Sequence, residues 1–329
     1  LGGGVHSAPP SSPMTTVPRS VLLIGGTGFV GGAVLRHLLT AGWRVTVFGP
    51  PGPLALPAAA RHVAGSIEDA AALRAVLAET RPAAIASFAA YAAGTGGLAR
   101  AGEAEPERAL AVNVLGSGRL LEAAVQAGIS RVIWTSSTVV YGPATDLTAR
   151  LAEDAPRRPA SIYGLTKLLA EEVAAFMRRR HGLEIAGLRI PLMLGPGLWY
   201  EGAAAPVKRL VVEARPGARP RIAVSPHPFD AMHVADLGRL VEALLAGPPP
   251  RHDLYNVAGF TTAFAAIAAA LQERVPGYAP SLATAEPPVL YPLVTDARLR
   301  AETGFAIARD LRATLRDMLA ERDAKEGTP

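Results

Sequence analysis

The 329-residue chain contains no cysteine. Disulfides, zinc–thiolate sites and thiol nucleophiles are therefore excluded, and the absence fits a cytoplasmic protein. Aromatic residues make up only 5% of the chain while half of it is hydrophobic, so the core must be built from Ala, Val, Leu and Ile. No apolar run is long enough to span a bilayer, which argues against a membrane protein. The Ala-rich stretch 83–93 breaks at Gly94-Thr95-Gly96-Gly97. The first 18 residues, rich in Gly, Ser and Pro, lack the basic start and apolar run of a signal peptide. They are expected to be a disordered lead-in, with Met14 as a plausible natural start. The net charge of +5 permits an anionic partner. The arginines are scattered, however, and Arg178-Arg179-Arg180-His181 suits a helix end facing the macrodipole better than a nucleic-acid patch.

What is present is alternation. Val21-Leu22-Leu23-Ile24 is a short apolar run ending at glycine, as in a strand buried on both faces. Helix-like patterns cover 29–41, 69–79, 105–127 and 163–180. Strand-like runs cover 43–48, 61–64, 83–88, 131–135 and 184–190. This is the signature of a doubly wound parallel sheet covered by helices, a Rossmann-type α/β fold. After Pro191 the pattern loosens, with helices expected at 230–245, 262–274 and 310–322 and a strand at 254–257. The expected organisation is a nucleotide-binding domain over 19–191 and a smaller substrate lobe over 192–329. Residues 229–258 of that lobe are expected to return to the first domain.

Two constellations carry chemistry. Gly25, Gly28 and Gly31 lie between the first strand and the first helix, where glycine allows a tight turn and lets backbone approach a pyrophosphate. The acid expected after the second strand to hold the ribose hydroxyls is missing, since the chain reads Val47-Phe48-Gly49-Pro50. No arginine replaces it, so NAD and NADP remain equal candidates. Tyr163 and Lys167 stand one helical turn apart. A nearby ammonium favours the phenolate, and such a pair can move a proton while a nicotinamide moves a hydride. Upstream, Thr135-Ser136-Ser137-Thr138 ends a strand at the same sheet edge, and a serine there can polarise a substrate oxygen.

With these motifs in place, the chain resembles the extended short-chain dehydrogenases/reductases, the NAD-dependent epimerase/dehydratase family, from about Ser20 to about Arg316. Gly25 to Gly31 matches the glycine motif, Ser87-Phe88-Ala89-Ala90 the motif after the fourth strand, and Asn113-Val114-Leu115-Gly116 the Asn-x-x-Gly helix motif. Residues 135–142 match the serine segment, with Ser137 as the catalytic carry-over and Ser136 next. Leu188-Arg189-Ile190-Pro191 resembles the sixth strand. The resemblance implies that Tyr163 is the acid/base, and that Lys167 lowers its pKa and binds the nicotinamide ribose. It implies a cofactor site containing Gly25, Gly28, Phe29, Val30, Gly31, Gly49, Ser66, Ile67, Phe88, Ala89, Ala90, Asn113, Tyr163, Lys167 and Pro191. Tyr91, Ser137, Thr138, Leu192 and Trp199 are the expected substrate contacts. A homodimer through the 105–127 and 163–180 helices is also implied.

The departures are informative. Ser136-Ser137-Thr138 replaces the Thr-Asp-Glu of family dehydratases, which disfavours elimination of water. Leu192 replaces an asparagine that holds a diphosphate in nucleotide-sugar epimerases, and Ser66 replaces an aspartate at the adenine. The reading is an NAD(P)-dependent oxidoreductase interconverting a secondary alcohol and a ketone. A nucleotide-sugar epimerase with retained NAD and a non-catalytic NAD(P) sensor are the rivals. His227, Asp230, His233 and Asp236 have metal-ligand chemistry but fall in a structural family segment, so no metal is expected.

Overall fold

The computed structural model describes residues 19–53, 55–143, 146, 148–286 and 291–326. The expected lead-in, 1–18, lies outside them. Along the chain run β1 (Ser20–Ile24), α1 (Phe29–Thr40), β2 (Arg44–Phe48), β3 (Arg61–Val63), α2 (Ala70–Thr80) and β4 (Ala84–Ser87). Then come α3 (Gly97–Ala104), α4 (Pro106–Leu110), a π-helical segment Ala111–Gly116, α5 (Ser117–Gln126) and β5 (Arg131–Ser137). A 3-10 turn Thr138–Tyr141 leads to α6 (Ile162–His181), β6 (Glu184–Ile190), β7 (Leu192–Leu194), α7 (Ala205–Val212), β8 (Arg221–Val224) and β9 (Phe229–His233). The chain finishes with α8 (Val234–Ala246), β10 (Leu254–Asn256), β11 (Phe260–Thr262), α9 (Phe264–Gln272), β12 (Ser281–Thr284), α10 (Ala297–Thr303) and α11 (Leu311–Glu326).

Seven strands form one parallel sheet in the order β10-β6-β5-β4-β1-β2-β3. The order reverses between β1 and β4, so a crevice opens at their carboxyl ends. Burial explains the apolar strands. In β1, Val21 and Leu23 pack into the core on one face of the sheet, Leu22 and Ile24 into the core on the other. The first core holds α1 and α8, and the second holds α2, α5 and α6.

Beyond β6, β7 pairs parallel with β9, and β9 antiparallel with β11. β8 pairs with β12. The chain after β9 rejoins the main sheet, since α8 packs on α1 and β10 pairs with β6.

Three local expectations need correction. The helix expected over 230–245 begins only at Val234, because Phe229–His233 is a fully buried strand between β7 and β11. The helix expected over 105–127 is interrupted by the π-helical segment, which carries Asn113. The helix α3 was not anticipated, since its sequence, Gly97-Leu98-Ala99-Arg100-Ala101-Gly102-Glu103-Ala104, has two glycines and little propensity. Tertiary contacts hold it, as described below.

Candidate active site

The glycine loop meets the sheet at the crevice. Gly25 has φ +76° and sits against the Phe88–Ala89 peptide, where an added Cβ would lie 2.9 Å from the Phe88 carbonyl carbon. At Gly31 a Cβ would lie 2.2 Å from the Gly25 carbonyl oxygen, so this glycine is required for the loop to close on its own helix. Gly28 differs, because a Cβ there would meet only the Gly25 oxygen at 3.5 Å, an ordinary contact. Packing does not require glycine at 28, whereas an approaching phosphate does. Gly28 is the N-cap of α1 without a side-chain cap, leaving the first-turn N–H groups for an anion. The loop thus fits a dinucleotide pyrophosphate.

The neighbouring expected positions are built around this loop. Gly49, with φ +155°, accepts from Gly65 N and contacts His62 Nε2 through its carbonyl. The Thr27 hydroxyl donates to the Pro50 carbonyl oxygen at 3.2 Å, tying the segment after β2 to the glycine loop. Ser66 Oγ accepts from Glu68 N, and Ile67 is buried against Gly116, where a Cβ would be 2.8 Å away. Phe88, Ala89 and Ala90 follow β4 along the crevice, with Phe88 N donating to Ile24 O. Phe29 is buried with its ring edge-on to Tyr200, and Val30 and Pro191 line the cavity described below.

Tyr163 lies in the first turn of α6. The helix starts there because Ser161 caps it, accepting from Gly164 N at 3.1 Å, and it ends at Gly182 in the left-handed region. Gly164 allows α6 to meet the 3-10 turn after Ser137, since a Cβ would lie 3.1 Å from the Val139 oxygen. Tyr163 and Ser137 are brought together here, and a hydrogen bond from Ser137 acts on the phenol. Strand alternation sends the two serines to opposite faces. Ser136 points to the other face and donates to Glu171 Oε1 at 2.6 Å, while Ser137 faces the cavity.

Lys167 is buried, with Nζ donating to the Thr135 carbonyl oxygen at 2.9 Å and lying 5.8 Å from the Tyr163 ring centroid. Burial lowers its pKa to about 8, against a raising effect of the Glu171 carboxylate. The resemblance implies that the lysine lowers the phenol pKa, and burial acts in the opposite direction. Burial pushes the Tyr163 phenol well above its ordinary value, with Tyr200 adding to the rise and Ser137 opposing it. Desolvation of the phenolate is the larger effect in this enclosed pocket. Tyr163 is held as a neutral phenol, in proton-donating form.

Asn113 has both amide functions engaged. Its Oδ1 accepts from Tyr91 N at 2.7 Å and its Nδ2 donates to the Thr166 hydroxyl at 2.9 Å. It therefore ties the chain after β4 to α6 between Tyr163 and Lys167. A second network, which the motifs did not reveal, lies further along α6. Glu171, one turn beyond Lys167, forms a two-pronged pair with buried Arg189 at 2.8 Å to each oxygen, and also accepts from Arg157. Arg189 donates in turn to Tyr141, whose hydroxyl donates to Asn256. The available signal was periodicity, since Tyr163, Lys167 and Glu171 recur every four residues on one helix face.

Two cavities that share wall residues lie at this site, the inner one bordered by Tyr163. The inner one, about 90 Å³, is lined by Ser137, Tyr163, Val30, Pro191, Tyr200 and Tyr291, among others. The outer one, about 180 Å³, is walled largely by apolar side chains of the lobe, including Val224, Phe229 and Phe264. Arg100, Leu192, Gly202, Ala203 and Tyr291 border both. Leu192 is thus on the wall of both cavities. The ring of Trp199 packs on the core, and it is Tyr200 that reaches the cavity. Thr138 is wholly buried, and the Tyr91 ring lies beside Arg108 and Glu105.

The residues weighed as metal ligands do structural work. Asp230 accepts from Thr261 and Val294, His233 Nδ1 accepts from Ala235 N, and Asp236 accepts from Ala308 and Arg309. Among the described residues no group of three or more His, Asp or Glu is placed to hold a metal. Nor does any helix among them have the length and apolarity to cross a membrane.

The model of the NAD dependent epimerase/dehydratase family matches residues 21–258, more than half of the chain. The chain belongs to that family. It is an enzyme of the NAD(P)-dependent epimerase and dehydrogenase class, with NAD or NADP as cofactor. A UDP-glucose 4-epimerase from Azospirillum brasilense is 30% identical over 68% of this chain and 67% of its own. A uronate dehydrogenase from Pseudomonas putida is 34% identical over 54% of this chain and 62% of its own. Among solved structures, the UDP-glucose 4-epimerase of Thermus thermophilus in complex with NAD superimposes with a TM-score of 0.79. It is 23% identical and covers 94% of this chain and 100% of its own. A monomeric L-threonine 3-dehydrogenase from a metagenome reaches 0.80 at 18% identity, covering 93% of this chain and 99% of its own. At such identities these structures speak for the fold alone.

Proposed function

We propose that this family member is a net NAD(P)-dependent dehydrogenase or reductase that interconverts a secondary alcohol and a ketone on a non-nucleotide substrate. The observation that carries this reading is the inner cavity, where Ser137 and Tyr163 share a wall with Val30 of the glycine-loop helix and with Leu192. When bound, the nicotinamide dinucleotide supplies or accepts the hydride. Ser137 donates a hydrogen bond to the substrate oxygen and steadies its developing charge. Tyr163, neutral at rest, gives its proton to that oxygen during reduction and takes it back during oxidation. Lys167, anchored on Thr135, holds positive charge near the phenol and would bind the ribose of the cofactor. Gly25, Gly28 and Gly31 would hold the pyrophosphate, and Gly49, Ser66 and Ile67 the adenosine end. Asn113 acts by holding the loop after β4 against α6.

The relatives named as epimerases support a second reading, an epimerase that retains NAD. Leu192 disfavours it, because this side chain is 6% exposed on the wall and offers a diphosphate no hydrogen bond.

The working arrangement is a dinucleotide-binding part over 19–191 and a substrate lobe over 192–329, with 229–258 returning to the first part. A homodimer is part of the proposal. Leu115, Leu165, Leu169 and Phe176 are between 37% and 56% exposed, and the last three follow one face of α6 beside α5. An apolar stripe this exposed on two packed helices suits a second copy of the same chain. The absence of cysteine supports a cytoplasmic setting.

Calorimetric titration of NAD, NADH, NADP and NADPH, after checking the purified protein for retained dinucleotide, tests the reading. Exchangeable binding of one redox pair, with alcohol-dependent reduction lost in Tyr163→Phe, is the expected result. Tightly retained NAD would favour the epimerase. Binding to none, with none retained, would overturn the assignment.

A further inference from the structure

The helix α3 is docked on the first turn of α6. Glu103 Oε1 accepts from the backbone N–H of Ile162 at 2.7 Å. One residue earlier, Gly102 lets the two helices touch, since a Cβ there would lie 3.2 Å from the backbone nitrogen of Tyr163. A helix of weak propensity is thus held in register with the catalytic tyrosine. On the same short helix, Arg100 lines both the inner and the outer cavity. Its guanidinium makes no hydrogen bond or ion pair among the described residues, although many of the chain's other arginines are paired. It is the permanent cation on those walls, where the other ionisable side chains beyond the tyrosines are His227 and Glu286 at the outer cavity.

We propose that Arg100 receives an anionic group of the substrate, a carboxylate or a phosphate monoester. The reacting carbon then sits at Ser137 and Tyr163, and an apolar remainder fills the outer cavity. This rests on the dehydrogenase reading above and narrows its substrate to a small hydroxy or keto compound with one anionic group and an apolar tail. An arginine fork is suited to two-pronged recognition of carboxylate or phosphate. The walls around it, Val224, Pro228, Phe229 and Phe264 among them, offer little to a polyhydroxylated tail. A nucleoside diphosphate brings two phosphate groups, a ribose and a base to a cavity with one permanent cation and with Leu192 at its waist.

The test is calorimetric titration of the full chain, with and without its bound dinucleotide. The probes are 3-hydroxyalkanoates of four to eight carbons, their primary amides, the corresponding 3-hydroxyalkyl phosphates, and UDP. The expected result is that the acids or the phosphates bind about tenfold or more tightly than the amides. Whichever anion leads identifies the group. Arg100→Gln should abolish the preference while leaving dinucleotide affinity and melting temperature in place, and Arg100→Lys should restore part of it. Equal binding of acids and amides, binding of no anionic probe, a preference that survives Arg100→Gln, or tighter binding of UDP than of either series would overturn the proposal. Failure of the dinucleotide itself to bind would instead sink the dehydrogenase reading, and the titrations without dinucleotide would still read Arg100.

Discussion

Lys167 donates from Nζ to the carbonyl oxygen of Thr135 at 2.9 Å, so this buried lysine is anchored by a backbone dipole of β5 and makes no direct ion pair among the described residues. Its burial outweighs the opposing Glu171 carboxylate, which is why its pKa falls to about 8.

A stability effect of definite sign follows. Below pH 8 the lysine is protonated in both folded and unfolded chains, and its burial penalty is constant. Between about 8 and about 10.5 the unfolded chain holds the proton and the folded one does not, so stability rises with pH. Urea denaturation of wild type and Lys167→Met at pH 7, 8, 9 and 10 should show wild type gaining on the variant above pH 8. A constant difference across the series would contradict the assigned burial.

The glycines of the loop should separate by role. Gly31→Ala places a methyl 2.2 Å from the Gly25 oxygen and should cost about 1–3 kcal/mol of stability through backbone displacement. Gly28→Ala meets only an ordinary contact and should cost less than about 1 kcal/mol. It should still weaken dinucleotide binding by about tenfold or more, because the methyl occupies the phosphate's approach. Thermal unfolding and calorimetry on both variants check this. Equal loss of affinity and stability in the two would refute the distinction.

The Glu171–Arg189 pair is buried on both sides. Glu171→Gln leaves Arg189 short of its counter-charge and should destabilise the fold by about 3–5 kcal/mol. Pairing Glu171→Leu with Arg189→Leu should cost less than the sum of the two single changes. A double-mutant cycle by chemical denaturation reads the coupling directly, and additive costs would show that the pair is not a unit.

For the apolar stripe, Leu169→Asp with Phe176→Asp should convert a dimer to a monomer in sedimentation velocity, with melting only slightly changed because both side chains are exposed. A wild-type monomer would show that this chain resembles, in that respect, the neighbour named as monomeric.

How much was legible in the sequence depended on how local the cause was. The first strand stands out because Val21-Leu22-Leu23-Ile24 is apolar throughout, as a strand buried on both faces must be. Residues 230–233 fall in the helix expected over 230–245 because their apolar spacing suits either period, and only pairing with β7 and β11 decides for strand. α3 escaped notice because contacts to Ile162 and Tyr163, some 60 residues away, hold it.

By itself the sequence determined the parallel αβ alternation, the glycine loop and the Tyr163–Lys167 turn, since each follows from spacing within a few residues. Tertiary structure decided the opposite faces of Ser136 and Ser137 and the burial that pushes the Tyr163 phenol up. It also decided that Arg100 and Tyr200 stand on the cavity wall. Those outcomes depend on desolvation and on contacts between segments far apart in the chain, which no local pattern records.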